Sequence, residues 1–533
     1  MAKDVNILLI VADDMGYNDL SSYGSPTIST PNIDAIASQG AKFTQFYQGA
    51  PLCTPARAAM LTGRLPIRSG IYAEFEAPVD ELFRVFYPTS VGCLPETEIS
   101  VAQALKPKYS TSMIGKWHLG HNVDRNCLPG RGNVGFDFFY GIPYSHEEGY
   151  PGPFPESLVF PPVPLMTNGY KFIEQPFNES DLTSRYTSVT EDLIMRFGEG
   201  QAGGPTRAQP DELYEDMDFS KPFFIHLGYE NPHVPLFLGD DYSGNSRRGL
   251  YGDVVQEMDI SIGRIVDSLK TAGVYENTMI VFTSDNGAWT NPSNGLNDER
   301  ATKGVGPYDG GNNSPFFEGK GSTYEGGYRV PMVLSLPNTI PSGQIIRSPV
   351  TAMDFFPTFL SFAGVEVPQD RVYDGVSLDK LLLTSKDVSG DSTELDPHDC
   401  IYLWREKDLY AIRCGPYKAH FITRSGFDFT DLGTVQDPPL LYNVEWDPGE
   451  AIPLNTSHMQ NHKIVMELEL AAKAHKATIE HVPSEYTAQN MSRVPCCPRG
   501  NADEQKHEAV LKLFPGPWAK CICTRIEQEV LLN

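Results

Sequence analysis

Residues 49–63, with the sequence GAPLCTPARAAMLTG, place a cysteine and an arginine at helical spacing. Pro55 predicts the start of a helix, because proline is tolerated best in the first helical turn. Cys53 would then lie at the helix N-terminus, where free amide groups stabilise negative charge, and Arg57 would face the same side. This pattern favours a thiolate or a bound anion. The alternative is that Cys53 is a small buried apolar residue and Arg57 a solvated charge.

A second candidate group consists of three carboxylates and one amide: Asp13, Asp14, Asp285 and Asn286. Packed together, the carboxylates would raise one another's pKa unless a cation compensated for their charge. Oxygen ligands of this kind suit calcium, or less readily magnesium. The group therefore predicts a divalent metal site. For either acidic dipeptide taken alone, turn formation is the alternative.

The chain also supplies cations and proton donors, namely Arg57, Lys116, His118, His233 and Lys320. Lys320 lies in the glycine-rich stretch GKGSTYEGG (319–327), which could bring its ammonium group and the backbone close to an anion. Taken singly, lysines and histidines usually have a solvated or structural role. Together with a metal and a helix N-terminus, they predict a site for an ester of a tetrahedral oxyanion, either sulfate or phosphate.

Most of these residues follow predicted strands. Apolar runs predict buried strands at residues 5–12, 110–115, 222–229 and 279–283, each ending in a polar cluster. Helical patterns at residues 30–40, 99–105 and 254–269 alternate with them, and residues 41–47 predict another short strand. This alternation predicts an α/β sandwich with a mostly parallel sheet. Ligands bind at the carboxyl ends of such strands, so we expect the candidate residues to share one crevice.

Two other parts of the chain have a different character. Residues 74–97 are predicted to be an irregular loop on the substrate side, and residues 136–219 an elaborated loop system with a helix near 188–197. After residue 397, short strands at 401–404, 409–413, 417–423 and 440–445 and a helix at 463–479 predict a small antiparallel sheet with one packing helix. We therefore expect a catalytic domain at residues 1–396 and a C-terminal subdomain at 397–533.

Composition limits the function classes. The chain has 533 residues, 40% hydrophobic residues and a formal net charge of −26. This charge argues against nonspecific binding to nucleic acids or anionic membranes, and no apolar run approaches the length of a membrane span. An anionic substrate would need a local basic pocket. A homo-oligomer is compatible with these features.

The cysteines point to an oxidising compartment. Nine are present, and with Cys53 set aside an even number remains. The pattern Cys496-Cys497 and Cys521-x-Cys523 predicts a disulfide-rich tail, with a zinc site as the alternative. Glycosylation sequons begin at Asn178, Asn312, Asn455 and Asn490. Residues 1–10 enter a strand pattern and carry no signal peptide, so we expect a secreted or lysosomal glycoprotein whose leader has been removed.

Several motifs resemble those of the type I sulfatases. Cys53-Thr54-Pro55-Ala56-Arg57, followed by Leu61-Thr62-Gly63, resembles the family signature C-x-P-x-R. The remaining site motifs are matched by ADDMG (12–16), GKWHLG (115–120), PYSH (143–146), SDNG (284–287) and GKG (319–321). The resemblance covers most of the chain and is greatest to the branch of arylsulfatase A and N-acetylgalactosamine-6-sulfatase. It implies an alkaline-phosphatase-like α/β fold with a smaller C-terminal antiparallel sheet.

The resemblance also implies a mechanism. Cys53 would be oxidised to Cα-formylglycine by the formylglycine-generating enzyme, and one hydroxyl of the aldehyde hydrate would attack sulfur. Calcium would be held by Asp13, Asp14, Asp285, Asn286 and the modified Cys53. Arg57 and His118 would position the hydrate, with His118 as the base for sulfate elimination. The sulfate oxygens would be bound by Lys116, Ser145 and Lys320, and His233 with Lys320 would assist the leaving oxygen as general acid.

The predicted function is therefore hydrolysis of an aryl or carbohydrate sulfate ester, with a sulfated small molecule or glycan as substrate. One alternative is a phosphate or phosphonate ester hydrolase of the same superfamily, although those relatives typically use serine or threonine and two metals. Another is a sulfated-glycan binding protein that has lost catalysis. Such a protein would be expected to lack a nucleophile or ligand, and none is missing here.

Overall fold

A single large sheet carries most of the strands in the computed structural model, which describes residues 5–74, 84–149, 161–203, 212–290, 309–384, 396–426, 433–486 and 489–496. Its strands are β1 (Asn6–Ala12), β2 (Ala41–Tyr47), β3 (Ser110–Lys116), β4 (Phe138–Ile142), β5 (Leu165–Thr167), β6 (Lys171–Glu174), β7 (Phe223–Gly228), β8 (Thr278–Ser284), β9 (Arg329–Ser335), β10 (Gln344–Ile346) and β11 (Val350–Thr351). Their order is β10-β2-β9-β8-β1-β7-β3-β4-β5-β6, and β11 pairs with β2.

The centre of the sheet is parallel and buried on both faces. Strand β1 pairs in parallel with β7 and β8, and β3 pairs in parallel with β4 and β7. Alternate residues of β1 enter two different cores, because successive side chains of a strand point to opposite faces. Ile7 and Leu9 pack into one core, and Leu8 and Ile10 pack into the other. The predicted α/β sandwich is confirmed.

Helices cover both faces of the sheet. They are α1 (Pro31–Gln39), α2 (Cys53–Thr62), α3 (Pro66–Ser69), α4 (Val101–Leu105), α5 (Leu182–Gln201), α6 (Leu250–Thr271), α7 (Glu325–Tyr328), α8 (Phe355–Ala363) and α9 (Asp379–Leu383). Buried side chains of α2 and α8 belong to the core that contains Ile7, whereas those of α1, α5 and α6 belong to the core that contains Leu8. Helices therefore pack on both faces of the sheet.

Strand β9 was not predicted from the sequence. It contains Pro331, and a proline inside an apolar run argues against a central strand because it cannot donate a hydrogen bond to the ladder. The structure nevertheless places β9 between β2 and β8, antiparallel to both. The register of β2 shifts between Phe43 and Phe46, opposite Pro331, so the irregularity falls where the missing donor would be. The carbonyl of Pro331 still accepts from Thr283 Oγ1 at 3.0 Å.

The prediction of a loop system at residues 136–219 was wrong for much of that region. Strand β4 extends the parallel part of the sheet, and β5 and β6 continue it in antiparallel fashion. The helix near 188–197 is longer than predicted and runs over Leu182–Gln201. These strands are short, and prolines, glycines and aromatic residues dominate the surrounding sequence. Pairing with the neighbouring strands, of β4 with β3, β5 with β4 and β6 with β5, therefore decides the structure rather than a local pattern.

The C-terminal strands and helix follow the prediction closely. Strands β12 (Cys400–Arg405), β13 (Asp408–Cys414), β14 (Tyr417–Thr423) and β15 (Thr434–Asn443) form a four-stranded antiparallel sheet in sequence order. Helix α10 (Met459–Lys476) packs on it through Val465, Leu468 and Ala472. The division of the chain into two domains near residue 397 stays a prediction.

Two disulfides have both cysteines within the described residues, Cys93–Cys127 and Cys400–Cys414. Cys496 is also disulfide-bonded, whereas Cys497, Cys521 and Cys523 lie outside the described residues. The sequon residues Asn178, Asn455 and Asn490 are exposed, and Asn312 is half-buried. In the part of the chain that is described, none of the helices combines the length and the apolar character needed to cross a membrane.

Candidate active site

The carboxyl ends of three central strands meet at one edge of the sheet. Asp13 and Asp14 follow β1, and Asp285 follows β8; Lys116 is the last residue of β3. Backbone hydrogen bonds continue beyond the strands, with the Asp285 amide donating to the Ala12 carbonyl at 3.0 Å. The sequence places each polar residue directly after an apolar strand, and the parallel pairing then brings the strand ends together.

The predicted metal ligands form a contiguous buried group. The Asp14 amide donates to Asp285 Oδ1 at 3.2 Å, and Asn286 Nδ2 donates to Asp14 Oδ1 at 2.7 Å. Possible ligand atoms of Asp13, Asp14, Cys53 and His233 all lie within 4.8 Å of one another. The backbone of Asp14 adopts φ 62°, a left-handed conformation that aspartate tolerates better than most residues.

Helix α2 begins at Cys53, two residues earlier than the position of Pro55 predicts. Pro55 is still compatible with the helix, because amides of the first turn have no intrahelical acceptor. The Cys53 thiol donates to Asp13 Oδ1 at 3.5 Å. Burial raises the pKa of this thiol well above its ordinary value, although Lys116 and Lys320 oppose the shift. The expectation of a thiolate was therefore wrong, because the thiol is desolvated and lies beside carboxylates.

Arg57 connects two of the strand ends. Its Nε and one Nη each lie 2.9 Å from Asp285 Oδ2, and its other Nη donates to the Lys116 carbonyl at 3.0 Å. Its side chain is buried, as are those of its partners. The alternative of a solvated surface charge is therefore excluded for Arg57. Arg57 also packs closely on β7, because a Cβ added at Gly228 would lie 3.1 Å from the guanidinium group.

Lys116 and Ser145 form a second contact. Lys116 Nζ pairs with Asp13 Oδ2 and donates to Ser145 Oγ at 3.2 Å. Burial alone would raise the pKa of Asp13, but the charges of Lys116 and Arg57 hold it well below its usual range. Lys116 is thus a buried, charged ammonium group next to a hydroxyl group, a combination that can bind an oxyanion.

His233 and Lys320 form a pair next to Asp14. Lys320 Nζ donates to Asp14 Oδ2 at 2.8 Å and to His233 Nε2 at 2.9 Å. His233 Nδ1 lies 2.5 Å from the carbonyl of Val234, which assigns the ring proton to Nδ1 and leaves Nε2 as the acceptor. Burial and the charge of Lys320 lower the pKa of His233 well below its usual value. The proton shared by this pair is therefore held by Lys320.

His118 lies beside the same cluster. Its Nε2 donates to the Phe86 carbonyl at 2.9 Å, while its buried Nδ1 has no hydrogen-bond partner within the described residues. The Phe86 amide in turn donates to Thr54 Oγ1 at 3.2 Å, next to Cys53. Burial and the charges of Lys116 and Arg57 lower the pKa of His118 well below its usual value. His118 is thus neutral, with a free lone pair on Nδ1.

The other two carboxylates of the cluster, Asp14 and Asp285, have raised pKa values. Burial and the charge of Asp13 raise the pKa of Asp14, although the charge of Lys320 opposes this shift. Burial and Asp13 also raise the pKa of Asp285, to about 7, although the charge of Arg57 opposes it. A bound divalent cation would relieve both shifts. Asn286 Oδ1 is buried and has no hydrogen-bond partner among the described residues, which suits a metal ligand. The residues present therefore fit a divalent metal.

Three further residues line this site that the sequence motifs did not single out. Glu147 Oε2 lies 3.4 Å from His233 Nδ1, and burial raises the pKa of Glu147 to about 7 although Lys320 and Lys116 oppose the shift. The ring of His146 lies 5.6 Å from that of His233. Lys320 Nζ lies 5.5 Å from the centre of the Trp289 ring. Glu147 and Trp289 each follow a quoted motif by one or two residues, which was the available signal.

Comparisons with known proteins agree with this geometry. The family model described as Sulfatase matches residues 5–365, and the model for the C-terminal region of aryl-sulfatase matches residues 396–504. An arylsulfatase of Hemicentrotus pulcherrimus is 34% identical over 530 residues, which cover 93% of this chain and 85% of the relative. An N-acetylgalactosamine-6-sulfatase of Canis lupus familiaris is 33% identical over 503 residues, which cover 89% of this chain and 86% of the relative.

A solved structure shows the same architecture. The sulfatase PsFucS1 from Pseudoalteromonas sp. superposes with a TM-score of 0.71 at 26% identity and covers 92% of both chains. The resemblance to the arylsulfatases found in the sequence is thereby confirmed. These matches span both the large sheet and the C-terminal sheet, and they favour sulfate over the phosphate and phosphonate alternatives. The chain therefore belongs to the sulfatase family and is a sulfuric ester hydrolase.

Proposed function

We propose that this chain hydrolyses sulfate esters through a nucleophile derived from Cys53. The observation that carries the proposal is the position of Cys53. It is a buried free cysteine that donates a hydrogen bond to Asp13, and its Sγ lies within 4.8 Å of possible metal-ligand atoms of Asp13, Asp14 and His233. Its raised pKa makes the unmodified thiol a poor nucleophile. Conversion to Cα-formylglycine would supply the hydroxyl of an aldehyde hydrate as the nucleophile instead.

The metal in this proposal is calcium. Its ligands are Asp13, Asp14, Asp285, Asn286 and the modified Cys53. Hard carboxylate and amide oxygens are the ligands that calcium prefers, and the buried positions leave few waters to complete an octahedral magnesium shell. When bound, the cation would neutralise the carboxylates and withdraw charge from the sulfate group.

Lys116, Ser145 and Lys320 bind the sulfate oxygens in this proposal. Lys116 and Ser145 already contact each other at 3.2 Å, so one sulfate oxygen can accept from both. Arg57 is fixed between Asp285 and the Lys116 carbonyl and holds the end of α2 in position. His118 Nδ1 has the free lone pair that a base for sulfate elimination requires.

The leaving oxygen receives its proton from the pair of Lys320 and His233. Lys320 carries the proton and donates to His233 Nε2, so the pair can pass one proton to an oxygen that enters between them. Glu147, close to His233 Nδ1, supports the orientation of the imidazole ring.

The substrate class in this proposal is an aryl or carbohydrate sulfate, in line with the names of the two relatives. We further propose that the protein matures in the secretory route, where the formylglycine-generating enzyme acts, and that it is secreted or lysosomal. The two disulfides and the three exposed sequon asparagines support this location.

The identity of residue 53 is tested by mass spectrometry. We expect the peptide that contains Cys53, isolated from active protein expressed in a secretory host, to have the mass of formylglycine. The Cys53→Ala variant should lose at least about 1,000-fold of its sulfatase activity, because both the nucleophile and a metal ligand are absent. An unmodified thiol in fully active protein would refute the proposed nucleophile, as would full activity of Cys53→Ala.

The metal is tested by its removal. We expect EGTA to abolish turnover of 4-nitrophenyl sulfate and added Ca²⁺ to restore it more fully than Mg²⁺ at equal concentration. The melting temperature should fall after chelation, because a ligand that binds only the folded state stabilises it. An active, chelated protein shown to be metal-free by elemental analysis would contradict the assignment.

A further inference from the structure

The catalytic cluster opens to solvent on one side. The side chains of Lys116 and His233 are 0% and 1% exposed, whereas those of Lys320 and Glu147 are 14% and 23% exposed, and Trp289 is half-buried. The other residues assigned above to the cluster are buried. A substrate whose sulfate group lies in the cluster therefore extends past Lys320, Glu147 and Trp289.

Trp289 lies next to both members of the proton-donating pair. It belongs to the segment that follows β8, and the Lys320 amide donates to the carbonyl of the preceding residue, Ala288, at 3.1 Å. Lys320 Nζ lies 5.5 Å from the centre of the indole ring, and the centres of the Trp289 and His233 rings are 6.5 Å apart. The indole is thus held beside the point where the leaving oxygen receives its proton.

This position brings the indole next to the leaving group. The leaving oxygen accepts from the Lys320 and His233 pair, and the carbon skeleton bonded to that oxygen extends towards solvent. The first ring of the leaving group therefore lies beside Trp289. An indole offers a large, flat apolar surface, and its electron-rich face suits the weakly positive C–H groups of a saturated ring.

The proton-donating pair indicates what kind of ring this is. A general acid is needed for an alcohol, which is a poor leaving group, whereas an activated phenol departs without protonation. The leaving group that suits this site is therefore a saturated alcohol. Glu147, on the same opening, can hydrogen-bond with a hydroxyl group in either of its protonation states. A saturated ring that carries hydroxyl groups is a pyranose.

A supporting role for Trp289 is the competing explanation, because its contact with Lys320 is a cation–π interaction. Lys320 Nζ, however, is already fixed by Asp14 Oδ2 at 2.8 Å and by His233 Nε2 at 2.9 Å. Hydrogen bonds from an ammonium group are stronger than a cation–π contact next to solvent. A bound ring explains the indole better, since partly exposed apolar surface at the mouth of a polar site marks where a ligand packs.

We propose that Trp289 is a specificity-determining residue that packs against the pyranose ring of the leaving sugar alcohol. It favours the sulfates of sugars over those of open-chain alcohols, and it acts on the binding of the leaving group rather than on proton transfer. This inference rests on the proposed function and names the part of the substrate that the open side of the site recognises.

Two competing ligands test the role of Trp289. Methyl galactopyranoside 6-sulfate and ethyl sulfate both carry sulfate on a primary alcohol, so they differ in the ring and not in the type of leaving oxygen. Each is added to the hydrolysis of 4-nitrophenyl sulfate, which gives its inhibition constant whether or not it is itself hydrolysed. For Trp289→Ala, we expect the constant of the galactoside sulfate to rise about tenfold and that of ethyl sulfate to change less than about twofold.

Two further variants sharpen this test. Trp289→Phe keeps an aromatic surface and should give an intermediate constant for the galactoside sulfate. The matched control is Trp446→Ala, because Trp446 is 88% exposed in the segment after β15, and this variant should change neither constant. For Trp289→Ala, an equal rise for both ligands would show that Trp289 only supports Lys320, and unchanged constants would show that it contacts neither ligand. Either result would overturn the proposal.

The proposed function can fail separately. If the unmodified chain does not hydrolyse 4-nitrophenyl sulfate, the proposed function fails, and calorimetric titration of both ligands then decides the role of Trp289. A loss of affinity of Trp289→Ala for the galactoside sulfate alone would support the contact. An equal loss for both ligands, or no loss, would overturn it.

Discussion

Identical side chains in this site differ in their electrostatic state because their neighbours differ. Asp13 contacts Lys116 and lies near Arg57, and its pKa is lowered despite complete burial. Asp285 is equally buried and its pKa is raised to about 7, because burial and Asp13 outweigh the charge of Arg57. Residue type alone therefore says little about charge at this site. The arrangement of cations around each carboxylate decides it.

The role of His233 can be tested at the same scale. A general acid matters most when the leaving oxygen is a poor leaving group, since an activated phenol departs without protonation. We expect His233→Ala to lower kcat/KM by about 100-fold on a sugar sulfate and by less than about tenfold on 4-nitrophenyl sulfate. The exposed His462 of α10 provides the control variant, His462→Ala. Equal losses on the two substrates would count against the acid role.

At the scale of elements, the C-terminal sheet supports the segment that carries Lys320. An added Cβ at Gly426, just after β14, would lie 2.1 Å from the Lys320 carbonyl, so the two backbones are in close contact. Lys418 of β14 pairs with Glu325 at 3.0 Å and with Glu450 at 3.1 Å, and all three side chains are fully buried. A buried charge network thus joins the C-terminal sheet to α7, which directly precedes β9 of the large sheet.

Lys418→Met tests this connection. The variant leaves two buried carboxylates near each other without their shared cation, and breaking a buried ion pair typically costs about 3–5 kcal/mol. We expect a clearly lower melting temperature. Lys463→Met removes an exposed lysine paired with Glu467 on α10 and should cost less than about 1 kcal/mol. Equal melting temperatures for the two variants would show that the buried network contributes nothing to stability.

At the scale of the whole molecule, many acidic groups combine with extensive burial. The formal net charge is −26, and burial raises the pKa of several carboxyls. Burial raises the pKa of Glu230 to about 8 and that of Glu257 to about 7. A raised folded pKa means that the native state binds protons more tightly than the unfolded state. These groups therefore favour the folded protein at acidic pH.

Glu257→Gln tests this pH dependence. The carboxyl titrates near 4.5 when unfolded and near 7 when folded, so its contribution to stability is lost as the pH rises through this window. Glutamine does not titrate and can still accept from the Gly239 amide. Between pH 4.5 and 7, we expect the unmodified chain to lose about 2 kcal/mol more stability than the variant. The control is Glu467→Gln, which replaces an exposed carboxyl. If the melting temperatures of Glu257→Gln and the unmodified chain changed in parallel with pH, the raised pKa assigned to Glu257 would be contradicted.

Local sequence was sufficient for the buried strands and the motifs that follow them. The apolar runs before Asp13 and before Asp285 predict strands that are buried on both faces. A polar residue that ends such a run then lies at the carboxyl end of its strand. Helix α2 was likewise predicted from local sequence, although its start lies two residues before Pro55. The antiparallel β9 was not predictable in this way, since Pro331 opposes a central strand locally and only its partners accommodate it.

The sequence by itself therefore determined the family, the α/β alternation and the identity of the residues gathered at the strand ends, because these features depend on short-range patterns. Tertiary structure decided that burial keeps the unmodified Cys53 thiol protonated, that Lys320 holds the proton shared with His233, and that β4, β5 and β6 extend the sheet. Charge state and neighbourhood depend on burial and on contacts between distant segments, which no local pattern encodes.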